Sequence, residues 1–261
     1  MTNNTFSLNN LRDMGGLSCG GGLKIKSGMI YRSPVPIANS DEEKSFLNKI
    51  RVDDIFDLRD VEEYTEKPDY PIGGARIIHA PVVSGRKYKY IIVSKKAKLR
   101  VALLRGKKMG ELKQSKLDSY AEMPFSTAYN RVFAAMDRGE SFLFHCTEGK
   151  DRTGVLAAII EYCFGRNYDE ILSEYLLSNE KRPAKNRQFM RKLGFPQSLI
   201  DDVRFCETTH KELFDISLNE ILKKYGSVDN YLASVFGITP NRIARWKAIY
   251  TEKSNSSEVM E

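Results

Sequence analysis

Apolar residues follow two spacings along the chain, short unbroken runs and longer stretches with a helical repeat. The short runs predict buried strands over residues 52–58, 75–80 and 141–144. The helical repeat predicts helices over residues 120–136, 153–164, 168–177, 213–225 and 228–236. Strands that alternate with helices are typical of an α/β protein, so we expect a central, mostly parallel sheet flanked by helices.

Local signals mark the ends of several elements. Ser40 followed by Glu43 predicts a capped short helix, and Thr239 before Pro240 predicts the start of a final helix. Glycines crowd residues 10–28, which therefore predict turns and short strands rather than a helix.

The 261 residues are enough for one substantial core, and we expect a single domain over residues 1–250 followed by a disordered tail over 251–261. No apolar run reaches the roughly 20 residues that cross a bilayer, and residues 1–10 lack the basic and apolar parts of a signal peptide. We therefore expect a cytoplasmic protein, with export by a non-classical route left open. The cysteines and histidines show no paired metal spacing, so the sequence predicts reduced cysteines, no bound metal and no cofactor.

Positive charge is concentrated in one segment. Residues 86–116 hold twelve lysines and arginines against one acid, Glu111, or about +11. The whole chain carries +7, so the remainder carries about −4. Apolar residues are interleaved with these cations, and we expect amphipathic helices that lie over the body of the protein. Such a segment attracts anionic partners, or it only keeps an exposed helix face soluble.

The decapeptide HCTEGKDRTG, residues 145–154, lies between the predicted strand 141–144 and the predicted helix 153–164. A loop that enters a helix from a buried strand points its backbone amides inward, and the helix dipole adds partial positive charge. Such a loop is suited to hold phosphate. The same amides lower the pKa of a cysteine, so we expect Cys146 to be a thiolate, the form that attacks phosphorus.

The other residues of the loop have predicted parts in phosphate binding. Arg152, six residues after the cysteine, can hold two phosphoryl oxygens in a fork. Gly149 permits a tight turn without a Cβ in the path of the anion, Thr153 can donate its hydroxyl to the thiolate, and Gly154 permits close packing of the helix. The glycine spacing of a nucleotide P-loop is absent, which excludes kinase and ATPase activities. The predicted phosphate-binding residues are Thr147, Glu148, Gly149, Lys150, Asp151, Arg152 and Thr153.

The loop resembles that of the bacterial atypical tyrosine phosphatase family, which reads HCxxGKDRTG. Further motifs resemble other signatures of the family: NLRDMGG at 10–16 with YRS at 31–33, DLR at 57–59 followed by Glu63 and Pro68, and YLLSN at 175–179. The resemblance extends over about residues 6–250. It implies a phosphatase-type α/β fold with Cys146 as the nucleophile and Arg152 as the phosphate ligand, and activity on phosphotyrosine and on inositol lipids.

The same resemblance implies more about the surroundings of the loop. It associates Lys150 with the recognition of lipid phosphate, and it associates a helical lid with the insertion before the loop, a place that the basic segment at 84–118 occupies. It also implies an acid, Asp151, beside the arginine. Glu148 departs from the family, which has a small residue there, and its carboxylate would weaken the binding of a dianion unless it points to solvent.

The general acid that protonates the leaving oxygen has two candidates. Asp151 is adjacent to the reacting centre, whereas Asp57 ends a predicted strand and could also reach the leaving oxygen. Asp57 could also form a structural ion pair with Arg59. His145 is expected to orient the loop through backbone hydrogen bonds. Cys19 could form a disulfide with an oxidised nucleophile, although an ordinary surface position is favoured.

Together these features predict a protein-tyrosine phosphatase of relaxed specificity that acts through a phosphocysteine intermediate. Phosphoinositide hydrolysis by the same mechanism is the alternative, because Lys150 and the basic segment favour lipid phosphates. The expected partners are phosphotyrosine proteins, with phosphoinositides and an anionic membrane surface as further candidates. Two rival functions are a phosphoprotein-binding pseudoenzyme and a helix-turn-helix DNA binder built on residues 231–246. Nucleic-acid binding is not expected, because the positive charge lies elsewhere in the chain.

Overall fold

The computed structural model describes residues 8–82, 111–181, 188–192 and 195–254. The larger of two sheets consists of β1 (Arg12–Asp13), β4 (Ile30–Ser33), β7 (Phe142–His145), β5 (Asp54–Asp57) and β6 (Arg76–His79), in that spatial order. The last four strands are parallel to one another, and β1 is antiparallel to its neighbour. Every residue of β5 and β7 is buried, as expected for central strands covered by helices. The predicted α/β architecture with a mostly parallel sheet is confirmed.

A smaller antiparallel sheet consists of β2 (Ser18–Cys19), β3 (Leu23–Ile25) and β8 (Thr251–Lys253). The prediction of a disordered tail from residue 251 is therefore wrong for its first residues. Ile25 pairs with Thr251, and the backbone of β3 provides hydrogen-bond partners for residues 251–253, which therefore form a strand. Residues 255–261 lie outside the described part of the chain.

Helices account for most of the remaining regular structure in the described chain. Their bounds are α1 (Asp41–Leu47), α2 (Val61–Glu66), α3 (Glu111–Glu122), α4 (Asn130–Arg138), α5 (Asp151–Cys163), α6 (Tyr168–Leu176), α7 (Ser178–Lys181), α8 (Gln188–Lys192), α9 (Gln197–Glu207), α10 (Lys211–Tyr225), α11 (Val228–Phe236) and α12 (Pro240–Tyr250). α5 follows the loop at 145–154 and is buried over most of its length, which agrees with its apolar residues on all sides.

The predicted caps are confirmed with one difference. The Ser40 hydroxyl accepts a hydrogen bond from the Glu43 amide at 3.1 Å, but the Glu43 carboxylate accepts from the Asn39 amide rather than from that of Ser40. At the last helix, the Thr239 hydroxyl caps α12 and Pro240 occupies its first turn.

The helix predicted over 120–136 is interrupted in the structure. Met123–Phe125 and Thr127–Tyr129 are short 3₁₀ turns that separate α3 from α4. Pro124 lies in the first of them, where it has no amide hydrogen to continue a helical ladder. The break turns α3 toward the loop at 145–154, a change that helical periodicity alone does not reveal.

The basic insertion predicted over 84–118 is described only from residue 111 onward, where it is the first part of α3. Residues 83–110 lie outside the described part, so a lid over the loop stays a prediction. Among the described helices, none combines the length and the apolar content that crossing a bilayer requires.

Candidate active site

The loop at 145–154 connects the carboxyl end of β7 to the first turn of α5, at the centre of the sheet. Gly149 has a φ of +64°, a conformation that favours glycine. A Cβ at this position would lie 2.5 Å from the nitrogen of Pro34 and 2.6 Å from the carbonyl oxygen of Ser33. The predicted need for glycine is confirmed, but the reason is different: a side chain would meet the backbone after β4 rather than the path of the anion.

Side chains from distant motifs hold the outside of the loop. The Asn10 amide donates to the carbonyl oxygens of Glu148 and Gly149, both at 3.0 Å, and Arg32 donates to the Gly149 carbonyl at 3.2 Å. Arg12 and Arg32 both pair with Glu174, at 2.9 and 3.5 Å. Asn10 and Arg32, which belong to the amino-terminal motifs, therefore bind the loop by its carbonyl oxygens. A loop held by its carbonyls has its amides directed to the opposite side.

Cys146 lies at the base of the loop and is 3% exposed. Burial by itself raises the pKa of a thiol, but the charge of Arg152 and the hydroxyl and amide of Thr153 act in the opposite direction. The net result is a pKa below the ordinary value. The surroundings of Cys146 therefore act in the direction of the predicted thiolate, and its ionisation at neutral pH stays a prediction.

Arg152 is held by a carboxylate that the loop motif does not contain. Its two terminal nitrogens donate to both oxygens of Glu63, at 2.6 and 2.9 Å, and one of them also donates to the Thr147 hydroxyl at 3.3 Å. Glu63 also accepts from Thr147 and forms a capping box with Asp60 at the start of α2. Burial opposes ionisation of Glu63, yet Arg152 and Thr147 bring its pKa below the ordinary value. Glu63 thus positions Arg152, a role that sequence reasoning missed although the Asp60-to-Glu63 spacing indicated the cap.

Asp151, the first residue of α5, lies in a buried cluster of donors. One of its oxygens accepts from Lys116 at 2.8 Å and from the Tyr120 hydroxyl at 2.5 Å, and the other is 3.4 Å from the ammonium of Lys150. Burial raises the pKa of such a carboxyl, but the charges of Lys116 and Lys150 outweigh it and bring the pKa of Asp151 to about 2. Lys116 and Tyr120 both come from α3, and neither was predicted from the sequence.

Lys150 is fully buried and its ammonium is directed to the body of the protein. It donates to the Cys206 carbonyl at 2.9 Å and lies 3.9 Å from the carboxylate of Glu148. The Glu148 side chain is only partly exposed, so it does not point freely into solvent. The nearby Lys150 ammonium partly balances its charge. In this arrangement Lys150 balances Glu148 and Asp151, and its predicted contact with a lipid phosphate stays a prediction.

Asp57, the second candidate for the general acid, forms an ion pair at the end of β5. Both of its oxygens accept from the Arg59 guanidinium at 2.8 Å, and the Arg59 amide donates to one of them. Burial by itself raises the pKa of Asp57. The bonds to Arg59 and the neighbouring His145 outweigh burial, so the pKa of Asp57 is below the ordinary value. This geometry favours the structural ion pair over the catalytic role.

His145 and Asp69 complete that cluster. The His145 ring lies 3.0 Å from a carboxylate oxygen of Asp69 and 3.4 Å from the Cys146 carbonyl. Asp57, Asp69 and His145 have side chains of the kind that bind metals, and their ligand atoms lie within 4.8 Å of one another. However, the guanidinium of Arg59 bonds both carboxylates, so this cluster already contains its cation.

The disulfide between Cys19 and Cys146, the less favoured of the two alternatives for Cys19, is excluded by position. Gly20, the neighbour of Cys19, donates to the Phe164 carbonyl beyond the carboxyl end of α5. Cys146 precedes the amino end of the same helix, which has 13 residues and therefore a length of about 20 Å. A disulfide needs the two Cα atoms within about 7 Å.

The helix-turn-helix predicted over 231–246 corresponds to α11 and α12, which pack onto the body. Leu232, Ile238 and Trp246 are buried. Arg242, a cation of this segment that a DNA-binding role would need at the surface, pairs with Asp137 at 2.7 Å and donates to the Phe236 carbonyl at 2.9 Å. This packing supports the structural interpretation of the segment.

A buried cysteine of lowered pKa, an anchored arginine and a helix amino terminus, placed at the carboxyl end of a parallel sheet, define the site of a cysteine-type phosphatase. The chain belongs to the tyrosine phosphatase family, whose family model matches residues 4–252. The predicted family resemblance and the predicted enzyme class are thereby confirmed.

Named relatives agree with this assignment. A protein of Cupriavidus necator named "Putative tyrosine-protein phosphatase" is 29% identical over 235 residues, which cover 87% of this chain and 81% of that protein. The "Triple specificity protein phosphatase PtpB" of Mycobacterium tuberculosis is 29% identical over 143 residues, which cover 48% of this chain and 52% of that protein. Among solved structures, TpbA of P. aeruginosa aligns over 76% of this chain and 90% of that chain with 16% identity and a TM-score of 0.32, too low to bear on the fold.

Proposed function

We propose that the chain is a protein-tyrosine phosphatase of relaxed specificity that hydrolyses phosphomonoesters through a phosphocysteine intermediate. The observation that carries this proposal is the buried Cys146, whose pKa is lowered by Arg152 and Thr153 at the amino end of α5. Tyrosine is the leading substrate because the relatives are named tyrosine or triple-specificity phosphatases.

The proposed reaction has two steps. In the first, the Cys146 thiolate attacks phosphorus, the S–P bond forms, and the bond to the leaving oxygen breaks as that oxygen takes a proton from the general acid. In the second, water attacks phosphorus, the conjugate base takes a proton from the water, and the thiolate departs. The loop amides and Arg152 stabilise the charge on the equatorial oxygens in both steps.

Asp151 is the general acid in this proposal, and Asp57 is not. A pKa of about 2 leaves Asp151 ionised at neutral pH, but a phosphate dianion bound beside it would raise that pKa, because like charges oppose ionisation. Asp57 is not expected to take up a proton in this way, because both of its carboxylate oxygens bond the Arg59 guanidinium. The carboxylate of Asp151 would therefore gain its proton only when substrate is present.

The nucleophile is tested by phosphate release from p-nitrophenyl phosphate. We expect Cys146→Ser to abolish release, and rapid acid quenching to trap a labelled phosphocysteine in the wild type only. Cys163→Ser is the matched control, because Cys163 is buried on α5 and burial raises its pKa to about 12. Equal turnover in Cys146→Ser and Cys163→Ser, or a Cys146 thiol that is still protonated near pH 8, would refute the mechanism.

The general acid is tested by leaving-group dependence. Asp151→Asn should lower kcat on phenyl phosphate, a poor leaving group, far more than on p-nitrophenyl phosphate, because only the poor leaving group needs a proton. Asp57→Asn should lower both to a similar extent, through a disturbed ion pair. A reversal of these two patterns would transfer the acid role to Asp57.

Phosphoinositide hydrolysis by the same chemistry is the second candidate. Its support is the basic segment at 84–118, which would also bring the protein to an anionic membrane surface. A panel of phosphotyrosine, phosphoserine and phosphothreonine peptides and inositol lipids, compared by kcat/KM, separates the candidates. If phosphotyrosine ranks below the lipids, the second candidate replaces the first.

Two rival functions make different predictions. A phosphoprotein-binding pseudoenzyme would bind phosphopeptides without releasing phosphate, so turnover that depends on Cys146 excludes it. A DNA binder would shift duplex DNA in a salt-dependent manner that is lost in Arg242→Ala, but Arg242 bonds Asp137, and we expect no shift.

A further inference from the structure

A cavity of about 190 Å³ lies behind the phosphate loop, between α5, α6 and α10. Its wall includes Gly154 and Ala158 of α5, Tyr175 of α6 and Leu218 of α10, but not Cys146 or Arg152. Ala158 and Leu218 are partly exposed, so the cavity can be reached from the surface. It is therefore a space separate from the proposed active site.

The hydroxyl groups in the wall of the cavity are all engaged with the protein itself. The five tyrosines and the serine donate as follows: Tyr120 to Asp151, Tyr175 to Tyr120, Tyr168 to Asp215, Tyr162 to Asp229, Tyr231 to the Pro124 carbonyl, and Ser217 to the Tyr120 carbonyl. Arg166 and Asn167 also line the cavity, but Arg166 donates to the carbonyls of Ser18 and Glu170, and the Asn167 side chain accepts from the Glu170 amide. What faces the cavity is therefore mainly carbon from aromatic rings and aliphatic side chains. An occupant that needed hydrogen bonds would find few partners here, whereas a hydrocarbon group would lose nothing by entering.

The size of the cavity sets the size of its occupant. An apolar cavity of about 150 Å³ in another protein stays dry and binds benzene. A cavity of about 190 Å³ therefore accommodates one aromatic ring or a short alkyl group.

Two contacts connect this cavity to the loop. A Cβ added to Gly154 would lie 3.0 Å from the Tyr175 ring, so that ring rests directly on the first turn of α5. The Tyr175 hydroxyl donates to the Tyr120 hydroxyl at 2.8 Å, and the Tyr120 hydroxyl donates to Asp151 at 2.5 Å. A molecule that packs against the Tyr175 ring thus touches the start of a hydrogen-bond chain that ends on the proposed general acid.

We propose that this cavity is a regulatory site for a small uncharged hydrocarbon group, and that its occupation holds Tyr175 and Tyr120 in the positions from which they bond Asp151. An Asp151 carboxylate that is held by these bonds is less readily protonated for transfer to the leaving oxygen. Occupation of the cavity is therefore inhibitory. The binding half of the proposal stands on the cavity alone, and the inhibitory half rests on the proposed function.

Binding is tested with benzene and the full-length chain. Benzene should raise the unfolding temperature of the wild type in a saturable manner. Ala158→Leu fills the cavity and should weaken this binding by about tenfold or more. Ala233→Leu, the same change at an exposed position of α11, is the matched control and should bind as the wild type does. Leu218→Trp fills the cavity from a partly exposed position of α10 and serves if Ala158→Leu does not fold. Absence of saturable binding, or equal binding by the filled and control variants, overturns the site.

Inhibition is tested by kcat at saturating substrate, where benzene cannot act by competing in the active site. At saturation benzene should lower kcat on phenyl phosphate by about fivefold, near the lower end of usual coupling factors, and change kcat on p-nitrophenyl phosphate less. Tyr175→Phe keeps the ring but removes the hydroxyl, so it should still bind benzene while its kcat no longer responds. An unchanged kcat in the wild type, or an equal response in Tyr175→Phe, overturns the coupling. Failure of the cysteine mechanism would show instead as turnover by Cys146→Ser, while the benzene titration by unfolding temperature stays interpretable.

Discussion

The replacement Lys116→Met tests how the surroundings of Asp151 control its ionisation. The Lys116 ammonium is 2% exposed and donates to Asp151 and to the Cys206 carbonyl, both at 2.8 Å. Methionine has a similar length but carries no charge. Lys150 continues to bond the Cys206 carbonyl at 2.9 Å, so the main loss falls on Asp151.

The magnitude follows from the pKa of Asp151, which lies at about 2 against an ordinary value of 3.8. Each pKa unit corresponds to about 1.4 kcal/mol, so the depressed pKa contributes about 2 kcal/mol to the free energy of unfolding at neutral pH. Lys116 is the largest of the causes that lower this pKa, and burial then raises it once the ammonium is gone. We expect Lys116→Met to lose at least this contribution, toward the 3–5 kcal/mol typical of a broken buried pair.

The pH dependence of the free energy of unfolding checks that the Asp151 pKa is lowered rather than raised. A carboxyl with a depressed pKa stabilises the folded protein above its unfolded-state pKa near 3.8, and this stabilisation is lost as the pH falls through the folded-state value of about 2. In the variant, burial raises the folded-state pKa of Asp151, so the gap in stability between the wild type and Lys116→Met should narrow as the pH falls from that raised value toward about 2. In activity, the variant's higher Asp151 pKa should move the basic limb of kcat on phenyl phosphate to higher pH.

Urea unfolding across pH and a pH profile of kcat are the two assays for this replacement. Lys113→Met is the matched control, because Lys113 lies on the same helix, pairs with Glu212 at the surface, and is 41% exposed. An exposed pair of this kind contributes about 0–1 kcal/mol. Equal losses in the two variants at neutral pH, or a gap that does not narrow in acid, would refute the role assigned to Lys116.

Two further replacements test the site, and a third tests Glu161, a buried carboxyl of α5. Glu63→Gln should lower kcat/KM by about tenfold or more, because it replaces the carboxylate that accepts from both terminal nitrogens of Arg152 and so loosens the phosphate ligand; an unchanged kcat/KM would count against this. Gly149→Ala should lose about 2 kcal/mol or more in urea unfolding beyond Gly21→Ala, which has a similar positive φ but open space; equal losses would show that the Pro34 contact is unimportant. Burial raises the pKa of Glu161 to about 8, so the wild type should lose stability relative to Glu161→Gln as the pH rises from about 4.5 to about 8, and a constant difference would contradict this.

Much of the fold and of the loop could be predicted because the signals are local. The strand at 142–145, the loop and the start of α5 are consecutive in the chain, so the order of the residues brings Cys146, the loop amides and Arg152 together. The caps at Ser40 and Thr239 depend only on residues three positions away. The interruption between α3 and α4 was missed because the apolar repeat continues through Pro124 and does not show where a proline ends a helix.

Residues that set the charges in the site could not be predicted in this way. Glu63 is separated from Arg152 by 89 positions, and Lys116 is separated from Asp151 by 35. No spacing rule connects such residues, because their contact depends on how α2 and α3 pack against the loop. The sequence favoured Asp151 as the general acid but left Asp57 open, and the bonding partners of the two carboxylates are visible only in the fold.

The sequence by itself thus determined the class of enzyme, the candidate nucleophile Cys146 and the shape of the phosphate loop, since these depend on neighbouring residues and on backbone conformation at glycine. The tertiary structure decided which carboxylates are tied to cations, how Arg152 is held, and where an apolar space lies behind the loop. The physical reason is that ionisation and packing depend on burial and on partners brought from distant parts of the chain, and these are properties of the folded protein alone.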